Sequence, residues 1–371
     1  MTRGHNEGTI SKRTDGRWQA RVTLPDGRRQ TMYSKTREEA GRKLIAALKD
    51  TQEGVPVINE RQQLSAYLED WLTAVRPSLK ASSVRRYELA IRNHIAPAIG
   101  KVRLAQLSPQ HVQTLEAALL DKGLSAATVN HVHNVLRAGL SQAERWGRVH
   151  RNVARLVSPP RIPRYKMATL SPQEAQRLMA AAANEPLGAL FILLLSTGVR
   201  VGEALACCWS AVDLDRGTLQ VTATLSRISG GYELTDPKTE NAHRQVLLPT
   251  AAAAALRAHR ARQNEARLHA GAAWQSGDFI FADALGQTVN PDGIVRRTWK
   301  ALLVKAELPD RRLHDLRHTA ATLLLGQGIH AKIVSEQLGH SSIAMTLNRY
   351  SHVTPTMQQQ AVEAMNRVLG G

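Results

Sequence analysis

The chain has 371 residues, 43% hydrophobic and 22% charged, an ordinary globular balance that predicts two or three domains able to bury real cores. No run approaches the ~18 uninterrupted apolar residues of a membrane span. The opening MTRGHNEGTISKR lacks the apolar segment of a secretory signal, so a cytoplasmic protein is expected. The net charge of +18 excludes an ordinary neutral surface and makes nucleic acid the first candidate partner.

The excess charge is uneven. Residues 1–50 carry 12 Lys and Arg against 6 Asp and Glu, and residues 64–166 carry 16 against 6. Residues 167–371 carry 20 against 17, so the front of the chain is the basic part. The two cysteines, Cys207 and Cys208, are adjacent. That spacing suits neither a disulfide nor a zinc motif, and idle thiols are expected.

The predicted elements begin with three short strands, GTISKR, RWQARVTL and RRQTMYS, separated by TDGR and PDGR. Asp-Gly at these places signals tight hairpins. Thr36 followed by Glu39 has the form of a capping box for a helix to about residue 49. The sheet carries Arg13, Arg17, Arg21, Arg28 and Arg29. It suits a DNA groove, or else is a small β-domain with a solvated basic face. Residues 51–62 are a linker.

Residues 63–157 read as helix throughout. Leu64, Tyr67, Leu68, Trp71 and Leu72 form one apolar face. A second helix covers 82–95. Ser108 caps a third, with Val112, Leu115, Leu119 and Leu120 inward, and Ser125 starts a fourth, to about residue 146. The aromatic residues here are expected in the core. SPPRIPRYK at 158–166 is the clearest connector.

The rear segment, 167–371, reads as mixed. Helices are expected at 171–183, 188–197 and 201–205, strands at 218–226, 231–234 and 245–248, then helices at 251–269, 289–306, 313–326, 331–338 and 341–350. The tail, 356–369, reads as one more helix. The fold class expected is therefore multidomain and mainly α with small β-sheets: an N-terminal three-stranded sheet plus helix, a four-helix domain, and a mixed α+β domain.

Five rear segments hold the chemistry: STGVRVGE at 196–203, TDPKTENAHR at 235–244, LHDLRHT at 313–319, QLGHSS at 337–342 and RYSHV at 349–353. Arg200 and Arg317 are permanently charged forks matched to phosphate oxygens. Arg200 follows the apolar run FILLLSTGV, which argues against a surface salt bridge, and Glu203 is its expected structural partner. His314 lies three residues before Arg317 and can exchange a proton with reacting oxygens. His340 follows a glycine and can hydrogen-bond a phosphate oxygen. Either histidine alone would more often be structural. His318 and His352 are read as structural. H-x-x-R-H supplies no carboxylate and is not a zinc motif.

These segments, in this order, resemble the tyrosine recombinase family, whose phage integrases are well-known members. The resemblance spans 167–355, and the front segments resemble the family's helical core-binding domain and the arm-binding domain of some integrases. It implies an arm-type DNA-binding domain at 1–55, a core-binding domain at 63–157, and a catalytic domain at 167–371 with a C-terminal helix docking on a neighbouring protomer. It assigns Tyr350 as the nucleophile. Locally Lys238 is a solvated turn lysine; the resemblance makes it the acid that protonates the departing 5′ oxygen, help worth ~10²–10⁴-fold. The resemblance further implies a 3′-phosphotyrosine intermediate that reseals without metal or cofactor. The implied partners are double-stranded DNA with core and arm sites, a homotetramer on that DNA, and a DNA-bending or excision-directionality factor; no membrane is implied. Rival readings are a chromosome-dimer resolving recombinase, a type IB topoisomerase, a non-enzymatic DNA-binding regulator of the same fold, and, more distantly, an RNA-binding protein.

Overall fold

The computed structural model describes residues 8–23, 29–52, 61–163, 167–236, 243–275, 277–340, 342–350, 362–363 and 365–369. The chain divides into two compact units, 1–164 and 165–371.

The first unit opens with an antiparallel sheet of β1 (Thr9–Lys12), β2 (Trp18–Thr23) and β3 (Arg29–Ser34), β2 in the centre. The expected TDGR hairpin is present: Gly16 takes the left-handed φ of 81° that a tight turn needs, and the Arg13 amide donates to the Arg17 carbonyl. The second turn, PDGR, lies outside the described residues. α1 (Arg37–Gln52) starts where Thr36 Oγ1 accepts from the Glu39 amide at 3.2 Å. Ala20, Val22, Ala40 and Leu44 form the small core between sheet and helix. On the turn, Asp15 pairs with Arg17 at 2.8 Å and Arg13 at 3.3 Å, and both guanidinium groups lie over the Tyr33 ring.

The helical segment follows with α2 (Leu64–Val75), α3 (Ala81–Ala90), α4 (Ala96–Ile99), α5 (Pro109–Asp121) and α6 (Ala126–Arg145). A π turn, Ile91–Ile95, joins α3 to α4, so the helix expected at 82–95 runs further than predicted. Leu64, Tyr67, Leu68, Trp71 and Leu72 are all buried. Ser108 caps α5 with His111, and Ser125 caps α6. One inward assignment fails: Leu120 is exposed. The stripe that starts at Val112 continues through Leu115, Glu116 and Leu119 at helical spacing. Glu116 occupies the inner position because its carboxylate lies 2.6 Å from His133 Nδ1 on α6.

The second unit begins with α7 (Pro172–Ala182), set by a capping box between Ser171 and Glu174. α8 (Gly188–Thr197) is buried almost all round and forms the centre of this core. α9 (Val201–Ala206) leads into β4 (Val212–Asp213), β5 (Thr218–Val221), β6 (Thr224–Ile228), β7 (Gly231–Thr235) and β8 (Arg244–Leu247). The strand expected at 218–226 is two strands. β5 pairs with β4 and β8, whereas β6 forms a separate hairpin with β7. Leu219, Val221 and Leu225 share one alternation phase and are all buried, so periodicity alone could not mark the break; the change of partner makes it.

α10 (Thr250–Ala270) crosses α8, and α11 (Arg296–Lys305) packs Trp299 on Phe191. A π turn, Pro291–Val295, precedes α11, so the helix starts later than the expected residue 289. The remaining elements are α12 (Asp315–Gly326), α13 (Ala331–Leu338) and α14 (Ile343–Tyr350). Of the tail, 362–363 and 365–369 are helical, and Val362, Met365, Val368 and Leu369 are exposed there. Among the described residues, no helix is long and apolar enough to cross a membrane.

Candidate active site

The site forms where two helices end against one another. α8 stops at Gly198 and α13 at Gly339, both left-handed with φ of 69° and 66°. A side chain at either position would be strained and would force a neighbour to shift. A Cβ on Gly198 would stand 2.5 Å from a Leu338 methyl, and one on Gly339 would stand 2.9 Å from Arg244 Nη1. The His340 amide returns to the Ser335 carbonyl at 3.0 Å, so His340 belongs to the cap that ends α13.

Helix ends leave carbonyls without intrahelical partners and carry partial negative charge. Here arginines meet them. Arg317, on α12 and almost fully buried, donates from Nη1 to the Gly198 carbonyl at 2.8 Å and from Nη2 to Leu338 at 2.6 Å. Arg244 Nε donates to the Gln337 carbonyl at 2.8 Å, and Arg200 Nη2 reaches Gly339 at 3.4 Å. Three successive carbonyls, 337 to 339, thus accept from three arginines far apart in sequence. This also explains how a charge as buried as Arg317 is accommodated: two helix C-termini face it.

Arg200 caps α9. Its amide donates to Glu203 Oε2 at 3.0 Å and its Nη1 to Oε1 at 2.6 Å, so Glu203 is the partner expected. The Arg200 side chain remains 40% exposed, unlike Glu203 at 3%. Arg244 Nη2 also donates to Glu203 Oε2, at 2.8 Å. Burial would raise the Glu203 carboxyl, but hydrogen bonding and charge from Arg244, then Arg200, outweigh it and hold it below the usual carboxylate range.

His314 stands exposed at the N-terminus of α12. Partial burial, then the positive charges of Arg317 and Arg200, hold its imidazole below the ordinary value, while Asp315 pulls the other way. The ring is therefore biased to its neutral form, which carries one unprotonated ring nitrogen. His318, read as structural, is buried with its ring edge-on to His314 at 5.1 Å. His340 is buried, and its Nδ1 lies 2.7 Å from Thr346 Oγ1 on α14.

The structure brings Arg200, His314, Arg317 and His340 into one region around the ends of α8 and α13. Tyr350 is the last residue of α14, the helix that Thr346 ties to His340. Lys238 and His352 lie outside the described residues; β7 and β8 bracket the Lys238 segment. Sequence reasoning missed Arg244, Thr346 and the two capping glycines. Arg244 closes the TDPKTENAHR segment, and its one signal was a charge at the start of the alternating run RQVLL.

Residues 168–357 match the Phage integrase family, and residues 63–120 match the Phage integrase, N-terminal SAM-like domain. The chain belongs to the phage integrase family. It is a tyrosine recombinase, a DNA-cleaving and rejoining enzyme. It is 30% identical to a protein of Caldanaerobacter subterraneus subsp. tengcongensis named Tyrosine recombinase XerC-like, over 95% of this chain and 97% of that one. The fold is similar to the Tn1549 transposon integrase in complex with a circular intermediate DNA, with a TM-score of 0.65, 20% identity, and coverage of 78% of this chain and 95% of that one. It is also similar to a lambda integrase tetramer bound to a Holliday junction, with a TM-score of 0.58, 18% identity, and coverage of 94% and 96%.

Proposed function

We propose that this integrase cuts DNA with Tyr350 and that Arg200, Lys238, His314, Arg317 and His340 form the machinery around it. The carrying observation is the convergence of arginines on the end of α13, one short turn before the helix that ends in Tyr350. The phenol oxygen attacks a phosphodiester as its proton passes to the neutral His314 imidazole, and a 3′-phosphotyrosine forms as the bond to the 5′ oxygen breaks. Lys238 protonates that oxygen, a poor leaving group as an alkoxide. Arg200 and Arg317 face the negative charge that develops on the non-bridging oxygens. The bonds from Arg317 to the ends of α8 and α13 leave its positive charge in place, so a structural role accompanies this one. His314, held neutral, and His340 bond the phosphate. Attack by a 5′ hydroxyl reverses the step and conserves the bond energy.

In this reading, residues 1–55 grip arm sites, 63–157 grip the core site, and 167–371 catalyse. The protein works in the cytoplasm on nucleoid DNA, as a homotetramer, with a DNA-bending or excision-directionality factor. The exposed Val362, Met365, Val368 and Leu369 at helical spacing support docking of the tail on a neighbouring protomer. The tetramer that lambda integrase forms on a Holliday junction supports the assembly.

The test is covalent trapping. A pool of nicked duplexes of random sequence is incubated with the protein, and SDS-resistant complexes are recovered and sequenced. Wild type should enrich one core sequence, and Tyr350→Phe should bind that duplex yet trap nothing. Covalent product with the Phe variant would overturn the assignment.

A further inference from the structure

The Glu203 carboxylate is almost fully buried and serves two guanidinium groups unequally. Arg200 meets it with a side chain 40% exposed. Arg244 meets it from within, at 7% exposure, and is anchored in turn on the Gln337 carbonyl and against Gly339. Arg244 also opens β8, the strand that follows the Lys238 segment.

One buried carboxylate needs about one opposite charge. If Arg200 supplied it alone, the Arg200–Glu203 pair would be neutral, and little field would remain for an incoming phosphate. With Arg244 in place, the trio of Arg200, Glu203 and Arg244 carries a net single positive charge whose only substantially exposed member is Arg200. We propose that Arg244 is a positioning residue: it carries the counter-charge of Glu203, so that the charge of Arg200 acts on the DNA phosphate. Arg244 acts through Glu203 and touches no DNA. The proposal rests on the recombinase site described above.

The experiment uses the full chain and a nicked duplex bearing the core sequence that wild type selects from the random pool. Single-turnover cleavage at saturating DNA gives a rate constant and an amplitude, and a gel-shift titration gives affinity. Arg244→Gln should lower the rate constant by about 10²-fold, as expected for loss of an electrostatic stabiliser, with affinity within a few-fold of wild type. Arg244→Lys, which keeps the charge but not the fork, should fall between the two. The double variant Glu203→Gln with Arg244→Gln removes the carboxylate along with its counter-charge. It should recover about tenfold or more over the single variant, a coupling that independent sites would not show. It also serves if the single variant folds poorly, since it removes the buried charge as well as its partner.

A rate constant unchanged in Arg244→Gln, a loss confined to amplitude, or a double variant no better than the single would each overturn the proposal. Loss confined to amplitude would mean a merely structural arginine. Tyr350→Phe in the same assay separates the two levels. If it still forms covalent product, the recombinase site itself is wrong and this proposal falls with it. If it does not, an indifferent Arg244→Gln strikes the counter-charge alone.

Discussion

Arg317 Nη2 donates to the Leu338 carbonyl at 2.6 Å, binding the first turn of α12 to the last residue of α13. The same guanidinium holds the end of α8 through Gly198. Arg200, by contrast, is half open and reaches its carbonyl only at 3.4 Å. Two arginines of the proposed catalytic set therefore differ in how much of the fold hangs on them.

Arg317→Ala should destabilise the protein more than Arg200→Ala. The first substitution strands two backbone carbonyls near the core, each costing about 1–3 kcal/mol if no water replaces the bond. The second leaves Glu203 with Arg244. Both should lower single-turnover cleavage by roughly 10²–10³-fold. Chemical denaturation followed by circular dichroism gives the stability order, and equal losses would contradict the division.

Much of this was legible in the sequence because local rules governed it. The Asp-Gly turn at Gly16, the caps at Ser108 and Ser125, and the all-apolar α8 each follow from a few neighbouring residues. Where partners came from afar, reading failed. Glu116 took the inner place predicted for Leu120 because His133 awaited it across the helix pair. Residues 218–226 split because β8 pairs only with the first part. Arg244 escaped notice because its partners, Glu203 and Gln337, are 41 and 93 residues away.

His314 should make stability depend on pH in a defined direction. Its folded-state pKa lies below the ordinary histidine value of ~6.5. The unfolded chain therefore takes up a proton that the folded protein refuses, so unfolding is favoured as pH drops below ~6.5 until the folded value is reached. Above that window the contribution is flat. His131 and His259 are lowered as well, both first by burial, so the comparison must be with a variant. Thermal midpoints measured from pH 7.5 to 5 should fall less steeply in His314→Gln than in wild type. Parallel curves would show that His314 does not titrate in this way.

Deleting residues 1–55 should separate gripping from cutting. That stretch holds a compact sheet-and-helix core of its own and much of the front's basic excess. The shortened chain should cleave the selected core duplex at a rate near wild type. Its affinity for longer DNA should depend less on salt, the slope of log K against log salt dropping by ~0.9 for each phosphate no longer neutralised. An unchanged slope would remove the DNA-gripping role from this domain.

Thr346 offers the most specific test of how the helix of the proposed nucleophile is held. Its side chain is fully buried, and its Oγ1 lies 2.7 Å from His340 Nδ1. Thr346 precedes Tyr350 by four residues, one turn of α14. Thr346→Val keeps the shape and removes the hydroxyl, at a cost of about 1 kcal/mol in stability. If this bond sets the place of α14 against the α13 cap, cleavage should slow by about tenfold, because small misplacements of a reacting group are costly. DNA affinity should hold, since neither residue belongs to the basic front of the chain. Thr346→Ser restores the hydroxyl and should restore the rate while losing the packing of the methyl. The two variants together decide: a valine variant that cleaves at the wild-type rate beside a slow serine variant would show that methyl packing, rather than the hydrogen bond to His340, holds the helix.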